Sequence, residues 1–122
     1  MTKTILVVDD CDTLRWGMRI VLTRAGYEVI EACDGKDALS RLNERKIDLV
    51  VSDLNMPNMD GIFLVNAMKR LHAHEAIPVI ILSSDMREKK MKEGLSAGAM
   101  AWMSKPLQPA QMLASISQLV IR

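Results

Sequence analysis

The chain has 122 residues and a formal net charge of +1, with 49% apolar and 25% charged residues. That length suits one domain with one core and is too short for two. The near-neutral charge excludes a bulk basic field for nucleic acid, and no apolar run approaches the roughly 20 residues that a membrane-crossing helix needs. Met1-Thr2-Lys3-Thr4 leads straight into a strand-like run without a signal-peptide segment, and Cys11 and Cys33 have no metal-ligand spacing. The expectation is a cytoplasmic chain with two free thiols, a monomer or weak dimer, with no direct contact to nucleic acid or membrane.

Ile5-Leu6-Val7-Val8 is a continuous apolar run of buried-strand type. A helix pattern follows over about 13–25, with Leu14, Met18, Val21, Leu22 and Ala25 on one face and Gly26 at the C-cap. A second strand is predicted over 27–33. Asp34 then caps a helix carrying Ala38, Leu39 and Leu42. The third strand spans 47–53 around Leu49-Val50-Val51, and the Asn55–Met59 loop leads to Asp60 as the N-cap of a helix reaching about Leu71. Residues 78–82 form the fourth strand and 86–97 a polar helix with Arg87, Lys89, Lys90 and Lys92. A short fifth strand covers 99–103, and the last helix has Pro109 in its first turn and Leu113, Ile116 and Val120 along it. His72 and His74 fall in a polar stretch and are expected at the surface. The order is strand–helix five times over. Non-alternating apolar strands between helices imply an α/β fold, a parallel sheet covered on both faces.

Ligands of such a sheet bind beyond the carboxyl ends of its strands. There the chain places Asp9-Asp10 after strand one, Asp53 after strand three, Ser83-Ser84 after strand four and Lys105-Pro106 after strand five. Any one of these acids is ordinary as a cap or turn residue. Together they make an oxygen-rich cluster whose mutual repulsion a hard cation relieves, and oxygen donors without His or Cys favour Mg²⁺. A carboxylate can also act as a nucleophile and form an aspartyl-phosphate, a transfer catalysed mainly by positioning and charge neutralisation.

The segments Val7–Asp10, Ser52–Gly61, Ile81–Ser84 and Ser104–Pro106 together resemble the receiver domain of two-component response regulators, nearest the single-domain chemotaxis type. The resemblance covers essentially the whole chain and implies one receiver domain over 1–122. Its fold would be a flavodoxin-like (βα)5 three-layer sandwich with strand order 2-1-3-4-5. It also implies a signalling switch rather than an enzyme, beyond its own phosphorylation and dephosphorylation. Asp53 would be the phosphoacceptor. Mg²⁺ would be held by Asp9, Asp10, Asp53 and the backbone carbonyl of Asn55. Ser83 and Lys105 would bind phosphoryl oxygens, and Lys105-Pro106 would be a cis peptide. Trp102 stands where the family more often has Tyr or Phe as the aromatic that turns inward on activation, so it would either move with Ser83 or stay outside as a partner contact. Asn55 and Asp85 would tune dephosphorylation, giving a phosphoryl lifetime of minutes.

The implied partners are a sensor histidine kinase or histidine phosphotransfer protein, and an effector at the face of the fourth helix, fifth strand and fifth helix. Trp16 and Ile20, flanked by Arg15, Arg19 and Arg24, fall opposite the core face of the first helix and are the candidate kinase-docking residues. Three other readings remain at this point. An aspartate-nucleophile phosphatase would want paired acids such as Asp10 and Asp12. A flavin-binding electron carrier would want a phosphate loop where Asp9-Asp10 stand. In the third reading the chain is a receiver cut from a larger kinase, cyclase or transcription factor.

Overall fold

The computed structural model describes residues 2–105 and 108–120. Five strands alternate with five helices: β1 (Thr4–Val8), α1 (Asp12–Arg24), β2 (Glu28–Ala32), α2 (Gly35–Glu44), β3 (Leu49–Asp53), α3 (Gly61–Arg70), β4 (Val79–Ser83), α4 (Glu88–Ala97), β5 (Ala101–Ser104) and α5 (Pro109–Leu119). All strands pair in parallel in the order β2-β1-β3-β4-β5, the flavodoxin-like arrangement.

The apolar runs of β1, β3 and β4 are buried along their whole length because helices cover both faces. Strand side chains alternate between faces. Leu6, Val8, Val50 and Ile81 therefore join Ala38, Leu42, Leu64 and Met68 in one core layer beneath α2, α3 and α4. Ile5, Val7, Val51 and Ile80 join Met18, Leu22, Met112 and Ile116 in the other, beneath α1 and α5.

The predicted caps form. Asp34 accepts from the Asp37 amide and Asp60 from the Phe63 amide, both at 2.8 Å. Gly61 meets a close-approach constraint, since a β-carbon there would lie 2.7 Å from the Asp53 carbonyl oxygen. Only glycine lets α3 start against the end of β3.

Two expectations are corrected. Leu14 is 47% exposed and Ala25 is exposed, so the buried stripe of α1 narrows to Met18 and Leu22, with Val21 half-buried. Leu14 sits in the first turn of α1 and Ala25 is its C-cap. His74 is buried, while His72 stays at the surface and pairs with Glu75. The His74 amide donates to the Leu71 carbonyl and its Nε2 lies 3.1 Å from Asn43 Oδ1, so the turn after α3 folds back against α2.

Candidate functional site

The strand order puts the carboxyl ends of β1 and β3 side by side, with Val8 opposite Ser52. Asp9 follows Val8 and Asp53 ends β3, so the chain's two most buried acids become neighbours. Asp9, Asp10 and Asp53 each offer a carboxylate oxygen within 4.8 Å of the others. From the far side of β4, Lys105 reaches in and places Nζ 2.7 Å from Asp53 Oδ1 and 3.7 Å from Asp9 Oδ2.

Burial and charge act on this group together. Asp9 Oδ1 accepts from the Cys11 amide at 2.8 Å, whereas Oδ2 is buried without a hydrogen bond. Desolvation, helped by the nearby Asp53 charge, holds the Asp9 carboxyl above its ordinary range despite the Cys11 bond. Burial pulls the Lys105 ammonium down, but its bond to Asp53 and the surrounding carboxylates outweigh this and hold it above the ordinary lysine value. A buried carboxylate oxygen lacking a donor, inside an all-oxygen set of three acids, fits a hard cation such as Mg²⁺.

Ser83 ends β4, is 1% exposed, and accepts from the Asp85 amide through its hydroxyl at 2.8 Å. Asn55 lies exposed in the loop after β3. Asp85 is committed to its own loop. Arg87 donates to it through Nε at 3.0 Å and Nη2 at 2.7 Å and through its backbone amide at 3.1 Å, which brings the carboxyl down to about 2.

Trp102 is in the inward position, only 9% exposed. Its indole Nε1 donates to the Asp85 carbonyl at 3.2 Å, and its ring lies on Gly94 of α4. The conformation with Trp102 outside as a partner contact is not the one present. Trp16 is 64% exposed, but Ile20 is half-buried. Arg15 and Arg19 are held inward on Glu31 of β2 and do not ring the Trp16 patch as free charges. Pro106, expected in a cis peptide, lies outside the described residues.

The family model "Response regulator receiver domain" matches residues 5–117. The chain belongs to that family. The chemotaxis protein CheY of Thermotoga maritima is 35% identical over 120 residues, which cover 97% of this chain and 98% of that protein. The response regulator GtcR of Aneurinibacillus migulanus is 38% identical over 116 residues, which cover 95% of this chain but 47% of that protein. The chain thus spans about half the length of one such relative and nearly all of another. Among solved structures, the chemotaxis protein CheY4 of Vibrio cholerae superposes with a TM-score of 0.93 at 32% identity, covering 98% of this chain and 99% of that one.

Receiver domains are signalling switches and not enzymes in the ordinary sense, which sets aside the phosphatase and flavin-carrier readings. They generally bind Mg²⁺ at an acidic pocket and interact with histidine kinases, phosphotransfer proteins and effectors. Among the described residues no helix is long and apolar enough to cross a membrane.

The roles of Arg15 and Glu31 were not legible in the sequence. Glu31 is one of two acids in β2, with Glu28, and nothing in the sequence marks which of them meets an arginine of α1. Gly94 carried no signal at all until its neighbour Trp102 was known.

Proposed function

We propose that the chain is a phosphorylation-operated switch of a two-component system or phosphorelay. Asp53 would take a phosphoryl group from a phosphohistidine of a sensor kinase or phosphotransfer protein. The observation that carries the reading is the convergence of Asp9, Asp10 and Asp53, with Lys105 on Asp53 and Asp9 Oδ2 left without a donor. Residues 1–122 act as a single receiver domain in the cytoplasm, as a monomer or weak dimer.

Asp9, Asp10 and Asp53, with the Asn55 carbonyl, are the groups that hold Mg²⁺. When bound, the ion neutralises these carboxylates and the charge on the transferring phosphoryl oxygens. A carboxylate oxygen of Asp53 attacks phosphorus in line. The phosphorus–nitrogen bond breaks, and its electron pair leaves on the donor imidazole. Lys105 sits on Asp53 already, within reach of a phosphoryl oxygen on that side chain. The Ser83 hydroxyl, now an acceptor from the Asp85 amide, turns to donate to another phosphoryl oxygen. That movement draws on the loop where Asp85 meets Trp102, which links the site to the α4–β5–α5 face where an effector binds. Asn55 and Asp85 set the lifetime of the phosphoryl group, in minutes.

Incubation with Mg²⁺ and acetyl phosphate, followed by intact mass, tests this. One phosphoryl group should be gained, and none by Asp53→Asn or without Mg²⁺. A gain by Asp53→Asn would overturn the assignment of the acceptor. The partial coverage of GtcR favours a second reading, in which the chain is the receiver of a longer regulator. The size of the native product on a blot decides between the two.

A further inference from the structure

We infer that Arg15, braced by Glu31, is the positioning residue that holds the Asp9-Asp10 turn in its metal-binding shape. The inference rests on the reading of Asp9, Asp10 and Asp53 as the cation site. The Asp9 residue is gripped at three points. Its amide donates to the Ala32 carbonyl at 3.1 Å, its carboxylate accepts from the Cys11 amide, and its carbonyl accepts from Arg15 Nη1 at 2.6 Å. The carbonyl of Asp9 and the amide of Asp10 share one rigid peptide plane. Fixing that carbonyl therefore fixes the N–Cα bond of Asp10, and the Cys11 amide held on Asp9 Oδ1 restrains rotation about it, so the two contacts together set where the Asp10 side chain leaves the backbone.

Arg15 is itself fixed. Its side chain is only 13% exposed, Nε donates to Glu31 Oε1 at 3.2 Å, and Nη2 pairs with Asp12. Glu31 is steadied in turn by Arg19, whose Nε lies 2.6 Å from Oε2. One planar guanidinium thus ties β2, the β1–α1 turn and the first turn of α1 together. Lysine cannot reproduce this, because an ammonium has no rigid fork of donors. Groups that orient metal ligands without touching the metal typically change affinity by about 10–100-fold when altered.

Positioning and simple electrostatics predict opposite signs. Removing a cation beside a cation site should tighten metal binding on Coulombic grounds. Removing a positioning residue should weaken it. Mn²⁺ serves as the probe, since oxygen ligands accept it as they do Mg²⁺ and its free concentration is read directly by electron paramagnetic resonance. Arg15→Gln should bind Mn²⁺ about tenfold more weakly than wild type. Arg15→Lys should also fall short of wild type although its charge is kept. Arg19→Gln, which leaves the Arg15–Asp9 contact in place, should stay within about twofold, below the range seen when ligand-orienting groups are lost.

Circular dichroism checks that each variant folds. If Arg15→Gln does not fold, Arg15→Lys decides. Binding by the folded variant as tight as wild type, or tighter, overturns the role of Arg15 while leaving the cation site intact. Absence of Mn²⁺ binding by wild type overturns the site reading and this inference with it.

Discussion

Trp102 and Gly94 are matched in size: a β-carbon at position 94 would run into Cζ3 of the indole. The larger aromatic fits inward because α4 has no side chain where it lands. Gly94→Ala forces the ring or the helix to move, and overpacking of this kind costs about 1–3 kcal/mol. In a Trp16→Phe background, which leaves Trp102 as the only indole, the Gly94→Ala variant should show red-shifted emission and a lower urea midpoint. Unchanged emission would mean that the indole does not depend on this gap.

The fold was almost wholly legible in the sequence. Buried strands read as unbroken apolar runs, and Asp34, Asp60 and Pro109 marked their helices for local chemical reasons that tertiary packing left intact. Strand order was not legible from pattern, since apolar runs carry no record of their neighbours; the family resemblance supplied it. The acidic cluster was legible because acids at strand ends break the apolar pattern. The pairings of Arg15 with Glu31 and of Arg87 with Asp85 were not. Arginines on helices and loops look alike in sequence, whether free in solvent or folded inward. His74 was misread for the same reason: a polar stretch says nothing about a turn that folds back on Asn43.

Asp9→Asn should stabilise the metal-free protein. Asp9 is 1% exposed, has an oxygen without a hydrogen bond, and lies beside Asp53 and Asp10. The neutral amide keeps an oxygen for the Cys11 amide and removes a desolvated charge. In EDTA at neutral pH the gain should be on the order of 1 kcal/mol, read from urea unfolding. The same variant should lose most of the stabilisation that Mg²⁺ gives the wild type. A destabilised variant in EDTA would mean that the carboxylate is better satisfied than its contacts imply.

The Glu31 ion pairs should contribute stability in one direction of pH only. Its hydrogen bond from Arg19, supported by Arg15, outweighs burial and holds the carboxyl below its ordinary value. A depressed folded-state value means that the stabilisation is present above the unfolded value of about 4.3 and fades as pH falls through the folded one. Glu31→Gln should therefore be less stable than wild type by on the order of 1 kcal/mol near neutrality, with the gap closing as pH falls through the depressed folded-state value. A gap that persists into acid would assign the effect to packing instead of charge.

Trp16, exposed on α1, should matter for transfer from a protein and not from a small molecule. Trp16→Ala should slow phosphorylation by the cognate histidine kinase and leave the rate with acetyl phosphate unchanged. Equal rates from the kinase before and after the change would remove Trp16 from the docking surface.

Arg87 should control how Asp85 acts on the phosphoryl group. The guanidinium holds both carboxylate oxygens of Asp85, and the backbone amide of Arg87 holds one of them again. A carboxylate bound in this way is a poor positioner for water, because its lone pairs are already directed at Arg87. Arg87→Ala removes the side-chain donors and frees Oδ2 of Asp85, while the backbone amide at position 87 keeps its bond to Oδ1. The phosphoryl group on Asp53 should then decay several-fold faster, measured by loss of the phosphorylated mass after the donor is removed. Arg87→Ala combined with Asp85→Ala should return to the rate of Asp85→Ala alone. Slower decay in Arg87→Ala would show instead that the paired arrangement is the one that orients the attacking water.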